Sequence, residues 1–223
     1  MYFKPSLLKL SRQIDNFSQE DIREEPQLFN CDLEHAYKLG GPIVRNMLDC
    51  LPPDWHDEPV VVDTKVHMLK LGWWPCIPGW HLDDVHRNTL DGQPNFYTPE
   101  YRSHHAISIV GADIAPTEFL IEPVNIVINR SAVRGSVYSQ AHNQIELIKE
   151  KFTMKVSDRC IYLFDDRTWH RCTQAVSNGW RWFGRVSRYT HAFHGHSIPR
   201  PNPRTNEVRT QTQVYIQSEG KGW

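Results

Sequence analysis

No Cys-x-x-Cys pair occurs among the five cysteines, Cys31, Cys50, Cys76, Cys160 and Cys172. An odd number without that spacing argues against a disulfide framework and against a thiolate zinc site, so they read as reduced thiols of a cytoplasmic protein. The chain also lacks a Gly-x-Gly-x-x-Gly turn, a Walker-type Gly-Lys-Ser/Thr and a Gly-x-Ser-x-Gly elbow. Dinucleotide, nucleoside-triphosphate and serine-hydrolase chemistries therefore have no support. No apolar run approaches the roughly twenty residues of a membrane span, and the segment Met1–Leu10 is too broken by lysine and proline to read as a signal peptide. An excess of one charge is missing too: the net charge is -1 and the pI near 6.9, so no global field draws the chain to nucleic acid or an anionic membrane.

Local charge is less even. The first sixty residues are acidic, whereas the last third carries Arg181, Arg185, Arg188, Arg200, Arg204 and Arg209 with few acids among them. Such a segment either meets an anionic substrate or forms an ordinary solvated face.

With 223 residues, the chain is long enough for one large domain. Its first part, 1–58, reads as a helical extension packed outside a sheet. Ser18 before Glu20 and Asp21, Asp32 before Leu33, and Pro42 before Ile43 are helix starts, and Gly40-Gly41 and Pro52-Pro53 are stops. From Val60 the pattern changes to short β-branched and alternating runs. Strands are predicted at Val60–Leu71, Trp80–Asp83, His105–Val110, Glu118–Ile121, Asn125–Ile128, Ser136–Ser139, Phe152–Val156, Cys160–Phe164 and Trp180–Tyr189. Ala141–Lys151 is a helix or a long hairpin connection. The fold class is mostly β with flanking helices, a sandwich or jelly roll over 59–197. In the C-terminal extension, 198–223, the prolines at 199, 201 and 203 exclude a helix or central strand, and Glu207–Gln217 alternates as an edge strand or tail.

His81-Leu82-Asp83 carries the strongest chemical signal. Residues one position apart on an extended strand point to the same face, so His81 and Asp83 present an imidazole and a carboxylate side by side. His170, brought across a barrel, completes two histidines and one carboxylate with open positions opposite, the set that suits non-haem Fe(II). Other histidines compete: His86, the pair His104-His105, of which only one can face inward, and the His191, His194, His196 cluster. Trp73, Trp74, Trp80, Trp169, Trp180 and Trp182 crowd around the motif and either wall a pocket or pack the core. Trp180 and Trp182 share the strand face opposite Arg181 and are expected to face away from the metal.

His-x-Asp, a long interval, His170, and then Arg181 within Gly179-Trp180-Arg181 eleven positions later is an order that resembles the Fe(II)/2-oxoglutarate-dependent dioxygenases. The resemblance covers roughly residues 60 to 190. It implies a double-stranded β-helix of the jelly-roll, cupin-like kind, with Fe(II) held by His81, Asp83 and His170. It also implies that Arg181 binds the far carboxylate of 2-oxoglutarate, and that O2 is used to hydroxylate or oxidatively demethylate a substrate, releasing succinate and CO2. A guanidinium suits that task because it grips a carboxylate through two parallel hydrogen bonds. Arg185, two residues on, is the second candidate anchor or a substrate contact. Thr117 is a candidate hydroxyl for the cosubstrate, with Lys65, His67 and Lys70 as alternatives. The substrate is unassigned, with the arginines leaning towards an anion and the aromatic loop towards a planar group. Two rival readings share the ligands: a cupin-like protein that binds metal and a small acid without turnover, and a zinc-dependent hydrolase.

Overall fold

The computed structural model describes residues 1–85, 93–96, 102–129, 137–189 and 204–216. These residues are mostly β. An antiparallel five-stranded sheet runs in the order β2 (Leu7–Gln13), β9 (Cys160–Asp165), β5 (Ser103–Val110), β11 (Gly179–Tyr189) and β4 (Val60–Leu69). A smaller sheet runs β10 (His170–Cys172), β6 (Thr117–Leu120) and β8 (Thr153–Lys155). Two short pairs join β1 (Tyr2–Phe3) to β7 (Val124–Asn125) and β12 (Glu207–Arg209) to β3 (Gln27–Phe29). Helices α1 (Gln19–Glu24), α2 (Leu33–Leu39) and α3 (Pro42–Asp49) lie before β4, and α4 (Val137–Glu146) and α5 (Lys149–Phe152) lie before β8.

Alternation along the strands sorts the side chains into two layers. On one face of the large sheet Val62, Val66, Ala106, Val110, Ile161, Trp182 and Val186 pack with Ile22, Ile43, Val44, Met47 and Trp55. On the other, Ile107, Ile109, Tyr162 and Phe164 meet Phe119 of the small sheet, so the two sheets pack face to face. Strand β11 serves both layers. It sends Trp182 and Val186 to the helices and leaves Arg181, Phe183 and Arg185 between the sheets, as its sequence predicts.

The helix starts are built as their sequences suggest. Ser18 and Asp21 form a reciprocal capping box on α1, and the Asp32 carboxylate accepts from the His35 N–H on α2. For α3 the cap comes from elsewhere: the buried Glu25 carboxylate accepts from the N–H groups of Gly41, Ile43 and Val44 at 3.1, 3.2 and 2.9 Å.

Three sequence expectations are corrected here. Leu7–Gln13 is a sheet strand and not part of an external helical segment; it pairs with β9 and leaves most of its side chains in solvent. Of the strand expected at Ser136–Ser139, the described residues 137–139 are helical, because Val137, Tyr138, Ala141 and Ile145 form a helical stripe buried against Phe3 and Trp80. Trp80–Asp83 is reduced to a single β-bridge between His81 and His170. Within Glu207–Gln217 the edge strand covers only β12, and Tyr215 makes a separate bridge to Trp74. The proline segment 199–203 lies outside the described residues.

Gly184 is required by packing, since a Cβ there would sit 2.2 Å from Trp182 Cη2 and 2.7 Å from Met47 Sδ. Gly184→Ala is expected to lower unfolding stability by about 1–3 kcal/mol through overpacking, read from the urea midpoint; an unchanged midpoint would contradict this packing.

Candidate metal centre

Gly79, with a φ of 123°, turns the chain into the site, and Trp80 anchors it. The Trp80 indole is fully buried, its Nε1 donates to Glu146 at 2.8 Å, and the Arg171 guanidinium lies 4.7 Å from its ring. The Tyr138 hydroxyl donates to the Leu82 carbonyl, so α4 clamps the next residue as well. Between these holds, His81 N–H donates to the His170 carbonyl at 3.0 Å and His170 N–H to the His81 carbonyl at 3.1 Å. This mutual pair sets the two imidazoles 4.5 Å apart, centre to centre. Asp84, at a φ of 49°, then bends the chain away.

Each imidazole is oriented by its own backbone. His81 Nδ1 lies 3.0 Å from the Gly79 carbonyl and His170 Nδ1 3.0 Å from the Thr168 carbonyl. A carbonyl only accepts, so Nδ1 carries the proton and the Nε2 lone pair is left for a ligand role. The Asp83 carboxylate closes the set, with Oδ1 3.8 Å from His81 Nε2 and Oδ2 3.5 Å from His170 Nε2. The three ligand atoms lie within 4.8 Å of one another. Burial, then the neighbouring His170, push His81 down to about 4, the neutral state that metal binding requires. Burial acts to raise Asp83, but Arg185 and the two imidazoles outweigh it and hold the carboxyl well below its usual range.

Arg185 has a different task from the one expected of it. Its Nη1 donates to Asp83 at 2.7 Å and its Nη2 to Asp63 at 3.0 Å, and Asp63 is its register partner on β4. With both ends of the fork on carboxylates, it is committed to orienting the Asp83 ligand and is not placed as a cosubstrate or substrate anchor. Arg181 is the opposite case. It is 2 % exposed, its Nε donates to the Ala115 carbonyl at 2.7 Å, and no carboxylate pairs with it among the described residues. Burial pushes it down to about 10, with the Cys76 and Cys172 thiols acting against that shift.

His81, Asp83, His170, Asp63, Arg181 and Arg185 open on one cavity of about 920 Å³ between the sheets. Thr117, buried on β6, lines it, as do Lys65 and His67. Lys70 does not; its Nζ lies over the Trp73 ring at 5.5 Å. None of the six tryptophans lines the cavity, whose aromatic walls are Phe29, Phe183 and Tyr215. Trp182 and the half-buried Trp180 pack on the helical side, as expected from the strand period. Of the histidine pair, His105 faces inward, but it is held by the Ser103 and Ser187 hydroxyls at 3.0 and 2.9 Å and is not a ligand. His86, His191, His194 and His196 lie outside the described residues. Four of the arginines have separate settings: Arg181 is buried and Arg185 paired, while Arg188 pairs with Asp54 and Arg209 with Glu207; Arg200 lies outside the described residues.

Asp63, the thiols of Cys76 and Cys172, and the wall formed by Thr205–Tyr215 were not singled out as site residues from the sequence. Asp63 was within reach of a register argument, because Arg185 needed a partner on a neighbouring strand. The other three carried no local signal.

Arg185→Lys keeps a charge but loses the fork, so we expect Fe(II) affinity to fall about 10–100-fold, measured by anaerobic titration calorimetry; wild-type affinity would refute the orienting role. His105 is pushed down to about 4 by burial. Its ring is therefore expected to stay neutral as pH falls from 6.5 towards 4, while the unfolded chain takes up the proton, so its contribution to stability is lost over that window. A side-chain NMR titration with a midpoint near 6.5 would contradict this. Comparison with protein-family models, curated proteins and solved structures finds no match to this chain.

Proposed function

We propose that this protein is an Fe(II)/2-oxoglutarate-dependent dioxygenase on a jelly-roll core, hydroxylating or oxidatively demethylating a substrate and releasing succinate and CO2. The observation that carries this reading is Arg181, a buried guanidinium without a carboxylate partner among the described residues, which opens on the same cavity as the His81, Asp83, His170 set. Burying an unpaired cation is costly, and a carboxylate-bearing ligand relieves that cost. The facing sheets support the jelly-roll assignment, with β11 providing the arginine and the β10 edge providing one ligand.

The residues fit the metal. Two imidazoles that turn Nδ1 to a backbone carbonyl and Nε2 towards the Asp83 carboxylate form the nitrogen and oxygen set that suits Fe(II) with coordination positions left over. Fe(II) bound there, together with 2-oxoglutarate and O2, supplies oxidation of an unactivated C–H bond. The chain does the rest. His81, Asp83 and His170 hold the ion, Arg185 keeps Asp83 ionised and aimed, and Arg181 fixes the far carboxylate with the Thr117 hydroxyl nearby. Phe119 and Phe164 pack on the His170 ring at 5.4 and 5.0 Å and exclude water from that side. A zinc hydrolase would use the same three ligands but gives Arg181 no role.

The test is anaerobic addition of Fe(II) and 2-oxoglutarate followed by admission of O2, with succinate measured. Succinate is expected only when all three are present, and Arg181→Gln should raise the 2-oxoglutarate requirement by about 10–100-fold, the worth of a charge-assisted pair. Metal-loaded wild-type protein that makes no succinate would overturn the proposal.

A further inference from the structure

His67 is the one buried imidazole that the metal centre does not use and that no neighbour satisfies among the described residues. It is 2 % exposed and lines the cavity, yet neither ring nitrogen completes a hydrogen bond of normal geometry. The Pro75 carbonyl acts on it only weakly, as the smallest of the influences on the ring. A buried donor left without a partner is costly, so an imidazole in this place calls for a partner that arrives with a ligand.

The register supplies the partner's position. His67 on β4 stands directly opposite Arg181 on β11. Residues directly opposite on antiparallel strands keep their Cβ atoms about 4.5–5.5 Å apart on the same face, so an imidazole N–H and a guanidinium fork project side by side into the cavity. Lys65, on the same face of β4, is exposed, while Thr117 enters from the small sheet and the Cys76 and Cys172 thiols lie alongside. Burial first, then Arg181 and Lys65, hold His67 well below its ordinary range, so the ring is neutral and offers a single N–H.

We propose that His67 is the second hydrogen-bond donor of a carboxylate clamp: Arg181 grips the far carboxylate of the cosubstrate, and the His67 imidazole N–H donates to the same group. This rests on the reading of Arg181 given above. It makes His67 a positioning residue for the cosubstrate. A neutral donor beside one guanidinium matches a singly charged carboxylate better than a phosphate dianion.

The experiment is calorimetric titration of 2-oxoglutarate into the full chain loaded with Zn(II), comparing wild type with His67→Phe and His67→Gln. In parallel, side-chain 15N NMR of wild type follows the His67 ring directly and needs no variant to fold. His67→Phe is expected to weaken binding about tenfold, the worth of roughly one hydrogen bond. His67→Gln, which keeps an N–H donor, should restore most of that loss, and the His67 N–H resonance should move on addition of 2-oxoglutarate. Undiminished affinity in His67→Phe with Arg181→Gln still impaired, or an unmoved His67 resonance in a saturated complex, would overturn this inference alone. Failure of wild type to bind 2-oxoglutarate at all would overturn it together with the proposed function.

Discussion

Two backbone hydrogen bonds between His81 and His170 determine what the rest of this site can be. The two histidines come from segments far apart in the chain, and neither is fixed by a long strand of its own. The mutual N–H to carbonyl pair at 3.0 and 3.1 Å places both rings on one side of a bridge. The preceding carbonyls at Gly79 and Thr168 then set the same tautomer in each. Ligand geometry is thereby written into the main chain, where it costs little side-chain entropy. Trp80, held by Glu146 and Arg171, and Leu82, held by Tyr138, keep the short segment from slipping out of the bridge.

Charge is arranged in two separate halves of the cavity. In the first, Arg185 bridges Asp63 and Asp83 and holds the Asp83 carboxylate beside the two imidazoles, an arrangement suited to a divalent cation. In the second, Arg181 is buried with no carboxylate against it among the described residues, an arrangement suited to an anion. A buried charge is costly unless paired, and the two halves together support the proposed pairing of a metal with an acid. Arg181 and Arg185 lie two pleat repeats apart on one face of β11, and their β4 register partners, His67 and Asp63, separate their roles.

Much of this was legible in the sequence because it is local. The Ser18, Asp32 and Pro42 helix starts follow from capping chemistry and proline geometry, the two-sided pattern of β11 follows from a period of two, and His81-x-Asp83 stands as a short motif. What was not legible depends on distant pairing. Strand β2 has a weak pattern and is strand only because β9 accepts it. The residues opening α4, Val137 and Tyr138, have strand-like propensity, and helical burial against Phe3 and Trp80 overrides it. In the sequence Arg185 is a second anchor or a substrate contact, because Asp63 meets it only across the sheet, and nothing near His67 in sequence announces that its ring lacks a partner among the described residues.

The central claim is that His81, Asp83 and His170 hold one ion together. Iron K-edge X-ray absorption on anaerobic protein carrying one equivalent of Fe(II) tests it most directly. The account predicts a six-coordinate nitrogen and oxygen shell with the scattering signature of two imidazoles, reduced to one in His170→Ala. A shell with no imidazole, or one that His170→Ala leaves unchanged, would contradict it.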